Sequence, residues 1–319
     1  MKILRENARR LVVCLGFAVI SGAIAWQAAG GGFDLVVCAV PPALVAGVAA
    51  VVLRRQTRAI DALRTVALTL QEGVLRPLPR RVGGLRTEVR YVAADPAARV
   101  GGDIYDVVST PFGVRMIMGD VMGKGMTAVG TAMDALGAFR ELAQCEARLS
   151  MVAQRMDTAL AQRSRSEDFV TALLLGLADG QGAMDLVCCG HPPPLLVRGR
   201  RATFVDALPP SPPLGLFGLQ DEWCRASSVL LVAGDRLLLY TDGVTEARDP
   251  AGEFYPLAHR VMDFHDEDPV IFLDALAADL ARHTKGRQMD DAALLLVDFG
   301  DIRAHQEQAH SGSPRSLRI

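Results

Sequence analysis

The stretch GDRLLLYTDGVTEARD at residues 234–249 carries the pattern from which the fold is predicted. Its residues Arg236–Tyr240 form a short apolar run that ends in an aromatic residue, which predicts a buried strand. Asp242 and Gly243 follow this strand directly. A carboxylate at a strand end can point into a cleft while the core holds the strand, and glycine lets the backbone come close to a ligand. The stretch therefore predicts a strand that ends in a functional acid.

Three further aspartates stand in the same setting, at an end of a predicted strand and beside glycine or another acid. They are Asp103 in GGDIYD, Asp290 in DDAALLLV, and Asp120 in GDVMGKG, the turn expected to open a long helix. Carboxylates that converge on one spot repel each other and take up protons unless cations neutralise them. Hard oxygen ligands with open positions suit Mg²⁺ or Mn²⁺ rather than zinc. The four acids together indicate a divalent metal centre.

The remaining elements fall in blocks of strands and blocks of helices. Because strands and helices do not alternate regularly, the domain is predicted to be α+β, with mainly antiparallel sheets in layers. The predicted strands are 87–93, 104–108, 114–118, 169–177, 184–189, 229–232 and 292–297, and the predicted helices are 127–147, 151–162 and 270–283.

In their order along the chain, the motifs resemble the PP2C-like phosphatases of the bacterial SpoIIE/RsbU type. The resemblance covers about residues 62–298. It implies an α/β/β/α sandwich of two antiparallel sheets flanked by helices. The sequence departs from the family pattern at Cys188-Cys189 and at Ala293, and none of these is a metal position. His191, which three prolines follow, is expected to form a rigid turn at a strand end. The similar segments are GGDIYD, GDVMGKG, DFVTALLLGL, CCGHPPPLL, PPLGL, GDRLLLYTDGVTEARD and DDAALLLV.

The resemblance also implies a site and a reaction. Two Mn²⁺ or Mg²⁺ ions would be held by Asp103, Asp120, Asp242, Asp290 and the backbone carbonyl of Val121. Asp290 is preferred over Asp291 because, in the family, the usual ligand is the acid that precedes a second acid or amide before the last strand. Asp106 is expected just behind the ligands. A water bridging the ions would hydrolyse phosphoserine or phosphothreonine on a protein, so no side-chain nucleophile is needed. The implied substrate is a regulatory protein such as an anti-anti-sigma factor of the STAS class.

Two other functions compete with this interpretation. One is a catalytically silent membrane scaffold that keeps the phosphatase fold for binding, and metal-dependent turnover would exclude it. The other is a phosphoesterase of small molecules, which a comparison of phosphoproteins with free phosphate esters would reveal. The net charge of −2 gives no electrostatic reason to expect a nucleic acid partner.

Two uncharged runs precede the domain, at about residues 11–29 and 35–53. Each is close to the ~20 residues that a helix needs to cross a bilayer. Basic residues flank the pair, and the connector at 30–34 carries only the acid Asp34. By the positive-inside rule, this predicts a multi-pass protein of the cell (inner or plasma) membrane with a cytoplasmic catalytic domain. A cleaved signal peptide is the alternative explanation of the basic start.

Four segments are therefore predicted: a membrane hairpin in 1–58, a linker helix in 59–79, the phosphatase domain in 80–300 and a disordered tail in 301–319. Apolar residues step by three and four along 60–74. This spacing fits a seam through which two copies of the chain form a homodimer, and it equally fits a helix packed on its own domain.

Overall fold

The structure, a computed structural model, describes part of the 319-residue chain. It divides into two compact units, Met1–Val66 and Ala67–Ile319. In the first unit, residues 47–58 are helical. The second unit contains all the strands described below. The described residues are 21, 45, 47–58, 75–92, 102–123, 125–163, 168–178, 182–205, 211–216, 224–287 and 290–300.

Within the described residues, eleven strands form two antiparallel sheets. One sheet has six strands in the order β1-β2-β11-β10-β7-β8, and the other has five in the order β3-β4-β5-β6-β9. The strands are β1 (Arg81–Val82), β2 (Leu85–Val92), β3 (Asp103–Thr110), β4 (Gly113–Val121), β5 (Val170–Leu177), β6 (Ala183–Cys189), β7 (Leu195–Arg198), β8 (Arg201–Phe204), β9 (Ser227–Leu230), β10 (Arg236–Tyr240) and β11 (Ala292–Asp298).

Helices cover the outer faces of both sheets. The long helices α1 (Met126–Cys145) and α2 (Leu149–Arg163) pack on the five-stranded sheet, and α5 (Pro269–His283) packs on the six-stranded one. The start of α5 is stabilised by Asp268, whose side chain accepts a hydrogen bond from the backbone of Val270 at 3.0 Å. Two short helices complete this layer, α3 (Asp242–Thr245) and α4 (Leu257–Arg260).

Three apolar clusters hold the four layers together. Neighbouring residues of a strand point to opposite faces, so Met116 of β4 packs between the sheets while Ile117 packs against the helices. The same alternation places Leu295 between the sheets and Leu294 under α5. Each sheet is thus covered on both faces, which explains why these central strands are continuous apolar runs instead of alternating ones.

The predicted α+β sandwich of two antiparallel sheets flanked by helices is confirmed, and most boundaries differ from the prediction by a few residues at most. The strands β1, β7 and β8 were not predicted. β7 and β8 are four residues each and carry few buried side chains. Such short strands have no clear period of their own, and they form because β7 pairs with the buried edge of β10.

The structure contradicts the predicted membrane location. In the part of the chain that the structure describes, no helix is long and apolar enough to cross a bilayer. Of the two predicted spans, 11–29 lies almost wholly outside the described residues, and 35–53 is described only at 45 and 47–53.

The predicted linker helix and tail fall mostly outside the described residues as well. Residues 59–74, which carry the predicted dimer seam, and the predicted tail at 301–319 are not described. The end of the predicted linker, 75–79, is described and is not helical. This agrees with Pro77 and Pro79, which cannot continue a helix in its interior.

Candidate metal centre

Two of the predicted metal ligands lie side by side at one end of the β3–β4 hairpin. Asp103 is the first residue of β3 and pairs in register with Asp120, the penultimate residue of β4. The turn of the hairpin, between Thr110 and Gly113, is at the opposite end. Asp103 is only 3% exposed, and Asp120 is partly buried. Like charges directly opposite each other destabilise a sheet, so this end of the hairpin favours a bound cation.

Gly102, directly before β3, brings the backbone close to the end of β4 that carries Asp120 and Val121. The backbone N–H of Val121 donates to the carbonyl oxygen of Gly102 at 3.1 Å. A Cβ added at Gly102 would lie 2.6 Å from Asp120 Oδ1 and 2.6 Å from the carbonyl oxygen of Val121. These two oxygens, both predicted metal ligands, therefore face the same small space beside the glycine. A side chain at position 102 would fill it.

The six-stranded sheet reaches this site through Thr241, which follows β10 and is fully buried. Its hydroxyl donates to Asp103 Oδ2 at 3.2 Å and accepts from the backbone N–H of Ala293 at 2.9 Å. Thr241 thus orients Asp103 and ties it to β11. Thr241 was not predicted from the sequence, although its position directly before Asp242 was a usable signal.

Asp242 begins α3 directly after Thr241, and the segment before β11 lies against it. A Cβ added at Gly243 would lie 1.9 Å from the carbonyl oxygen of Asp291. This close approach brings Asp242 near Asp290 and Asp291. Asp290 is exposed and Asp291 is partly buried.

The pKa values show that the acids influence one another. Burial raises the pKa of Asp103 well above its usual value, and the negative charges of Asp120, Asp291 and Asp242 raise it further. Burial likewise raises the pKa of Asp120 to about 7, with added contributions from Asp242, Asp290 and Asp291. Four acids predicted as ligands, and Asp291 with them, therefore share one electrostatic environment.

This donor set fits a hard divalent cation, because it consists of oxygens and the neighbouring carboxylates raise the pKa of Asp103 and Asp120. As the side chains lie, no three acidic, histidine or cysteine groups within the described ranges are close enough to enclose an ion. The assignment of Asp103, Asp120, Val121, Asp242 and Asp290 as ligands stays a prediction.

Two expectations about neighbouring acids differ from the structure. Asp120 was expected in the turn that opens the long helix, yet it belongs to β4, and α1 begins only at Met126. Asp106 was expected just behind the ligands. It lies three residues after Asp103, so its side chain is on the other face of β3, where it accepts a hydrogen bond from Arg140 Nε at 2.5 Å.

We expect the metal-free protein to lose stability as the pH rises from about 4 to about 7. The unfolded chain has ordinary aspartate pKa values near 4, whereas the folded protein raises the pKa of Asp103 and Asp120. The folded state therefore binds more protons in this window, and the resulting stability is lost as the pH rises through the folded pKa. Mn²⁺ should offset the loss, because it replaces the protons.

Thermal denaturation with a chelator, at about pH 5 and about pH 8, measures this effect. Other titrating groups also change the stability between these pH values. The informative quantity is therefore the part of the stability change that is present in the native protein and absent in Asp120→Asn. A variant with the same pH dependence as the native protein would show that Asp120 does not titrate in this way.

Comparisons with known proteins agree with the fold. The family model described as Stage II sporulation protein E (SpoIIE) matches residues 110–300 of this chain. The phosphoserine phosphatase RsbP of Bacillus subtilis is 26% identical over 211 residues, which are 63% of this chain and 50% of RsbP. The chain thus spans about half the length of the curated relatives that it matches.

Two solved structures share the architecture at lower sequence identity. The SiaA-PP2C domain of Pseudomonas aeruginosa is 18% identical, with a TM-score of 0.65 and coverage of 77% of this chain and 98% of that domain. The catalytic domain of the serine/threonine protein phosphatase PstP, in complex with two manganese ions, is 18% identical, with a TM-score of 0.50 and coverage of 68% and 99%.

Proposed function

The chain belongs to the SpoIIE family and carries the PP2C-type phosphatase domain of that family, and we propose that it is a metal-dependent protein serine/threonine phosphatase. The observation that carries the proposal is the buried Asp103 directly opposite Asp120. Two acids in this arrangement repel each other unless protons or a counter-ion neutralise them. We place the phosphatase domain at residues 80–300.

The proposed ligands are Asp103, Asp120, Asp242, Asp290 and the carbonyl of Val121, which would hold two Mn²⁺ or Mg²⁺ ions. The manganese complex of PstP supports this assignment through the shared fold. When bound, the ions would lower the pKa of a water and stabilise the charge that develops on the phosphoryl group.

The chain's own residues prepare the site for this chemistry. Thr241 holds one oxygen of Asp103 in place through a hydrogen bond. Gly102 leaves the space into which Asp120 and the Val121 carbonyl project. The raised pKa values of Asp103 and Asp120 mean that these acids keep their protons to a higher pH than a free aspartate, and metal binding would release those protons.

The proposed substrate is a phosphoserine or phosphothreonine of a regulatory protein, with a STAS-type anti-anti-sigma factor as the first choice. The name of RsbP as a phosphoserine phosphatase supports the chemistry. The choice of a STAS protein comes from the resemblance of the motifs to the SpoIIE/RsbU type.

The test is phosphate release from a phosphorylated STAS protein, with Mn²⁺, with Mg²⁺ and after chelation. We expect release that depends on metal and is faster than release from p-nitrophenyl phosphate under the same conditions. Faster turnover of the free ester would favour a small-molecule phosphoesterase. Undiminished release after complete removal of the ions would contradict the proposed mechanism.

A further inference from the structure

His191 lies between the two sheets, close to the proposed metal centre. It follows β6 and is 5% exposed. Its Nε2 is 3.1 Å from the carbonyl oxygen of Tyr240, the last residue of β10 in the six-stranded sheet. Its Nδ1 is 3.2 Å from the hydroxyl of Thr171 on β5, in the five-stranded sheet. The imidazole ring therefore joins the ends of two strands that belong to different sheets.

The partners of the ring determine where its hydrogen lies. A carbonyl oxygen can only accept, so Nε2 carries the hydrogen and donates it to Tyr240. In a neutral imidazole, Nδ1 is then an acceptor, and the hydroxyl of Thr171 can donate its one hydrogen either to Nδ1 at 3.2 Å or to the carbonyl oxygen of Asp120 at 3.3 Å. Burial lowers the pKa of His191 to about 4, which agrees with the neutral form at physiological pH.

The chain of hydrogen bonds continues from Thr171 to a proposed ligand. Thr171 pairs in register with Asp120, and its hydroxyl oxygen accepts a hydrogen bond from the backbone N–H of Asp120 at 3.3 Å. At the other end, Tyr240 directly precedes Thr241, which binds Asp103, and Asp242 follows. The hydrogen bonds thus run from the backbone of Asp120 to the strand end that presents Asp242.

The backbone holds His191 firmly in this place. Gly190 has a φ of +68°, and a Cβ added there would lie 2.8 Å from a carbon of the Pro213 ring. Three prolines, residues 192–194, follow the histidine and restrict its backbone further. Both ring nitrogens have partners on separate strands, so the ring links the two strand ends to each other.

We propose that His191 and Thr171 are positioning residues that set the separation of Asp120 and Asp242 across the two sheets. This inference rests on the proposed function, since it assigns a role in shaping the proposed metal centre. Without the hydrogen bonds, the strand ends remain packed, but the spacing of their carboxylates is no longer specified. The expected consequence is weaker ion binding and a lower kcat, with little change in KM for the phosphoprotein.

The first test compares two substitutions of Thr171 by calorimetric titration with Mn²⁺ and by phosphate release. Thr171→Val keeps the shape and removes the hydroxyl, so we expect Mn²⁺ affinity to fall about ten- to a hundred-fold, as for other groups that support metal ligands. Thr171→Ser keeps the hydroxyl and should restore the affinity to within about threefold of the native value. The control is Val297→Ala, at the end of β11 away from the site, which should lower stability without changing Mn²⁺ affinity.

The second test reads the ring itself in the metal-free protein. The ¹⁵N shifts of His191 should show a protonated Nε2 and an unprotonated Nδ1 at neutral pH. The opposite tautomer, or an imidazolium, would contradict the hydrogen-bond chain whatever the activity of the protein.

The outcomes separate the two proposals. If the native protein binds two Mn²⁺ ions and Thr171→Val binds them equally well, the positioning role is wrong and the proposed function stands. If the native protein binds no Mn²⁺, the proposed metal centre is wrong and the positioning role fails with it.

Discussion

Asp120→Asn should reduce phosphate release by several powers of ten while the domain stays folded. Asp120 faces Asp103 across the hairpin, and the charges of Asp242 and Asp290 raise its pKa, so it interacts with three other proposed ligands. Replacing its carboxylate by an amide removes a charge where two ions are proposed to meet. Metal ions stabilise the charge of the transition state by several kcal/mol, and each ~1.4 kcal/mol corresponds to a factor of ten in rate.

Folding should survive this substitution, or improve in the metal-free protein at neutral pH, because one member of a repelling cluster becomes neutral. The measurements are calorimetric titration with Mn²⁺ and phosphate release from the phosphorylated STAS protein. Asp266→Asn is the control, because it removes one charge from a side chain that is 85% exposed. Two-site Mn²⁺ binding together with near-normal turnover in Asp120→Asn would show that the metal centre lies elsewhere.

Gly102→Ala should impair the site by a different physical cause, steric displacement without any change of charge. The new Cβ would approach both Asp120 Oδ1 and the Val121 carbonyl oxygen to 2.6 Å, which is closer than non-bonded atoms allow. The carbonyl belongs to a paired strand and cannot rotate away, so either the strands separate or the carboxylate turns aside. We expect Mn²⁺ affinity to fall at least tenfold and activity to fall about a hundredfold, with a stability loss of about 1–3 kcal/mol from overpacking.

The matched control is the same substitution at Gly130, an exposed position of α1 where an added Cβ meets nothing within 4 Å. Gly130→Ala should raise stability by about 0.5–1 kcal/mol, because alanine loses less conformational freedom in a helix than glycine does. Its activity should match that of the native protein. Native Mn²⁺ affinity in Gly102→Ala would mean that Asp120 and Val121 do not act together as ligands.

Much of the fold could be predicted from local patterns in the sequence. The apolar runs at Leu173–Leu175 and Leu294–Leu296 predicted strands, and the structure places them in the middle of the two sheets, covered on both faces. The helices α1, α2 and α5 have one apolar face and could be predicted in the same way. Such signals are short-range, because a strand or helix repeats its contacts every two to four residues.

The predicted membrane location is one prediction that the structure contradicts. Uncharged runs of about 19 residues predicted two membrane spans, and no helix of the described residues meets the requirements of a span. Both predicted spans fall mostly outside the described residues.

By itself, the sequence predicted which acids would form the site, because four carboxylates beside glycine or another acid follow one another at predicted strand ends in an order that resembles the SpoIIE/RsbU type. Only the tertiary structure decided how they are arranged. Asp120 lies on a strand rather than in a turn because β3 and β5 pair with β4 on both sides. His191 gained a role that its proline-rich neighbourhood did not predict. Its partners, Thr171 and Tyr240, are 20 and 49 residues away along the chain, and a hydrogen bond between distant residues exists only after the sheets have packed.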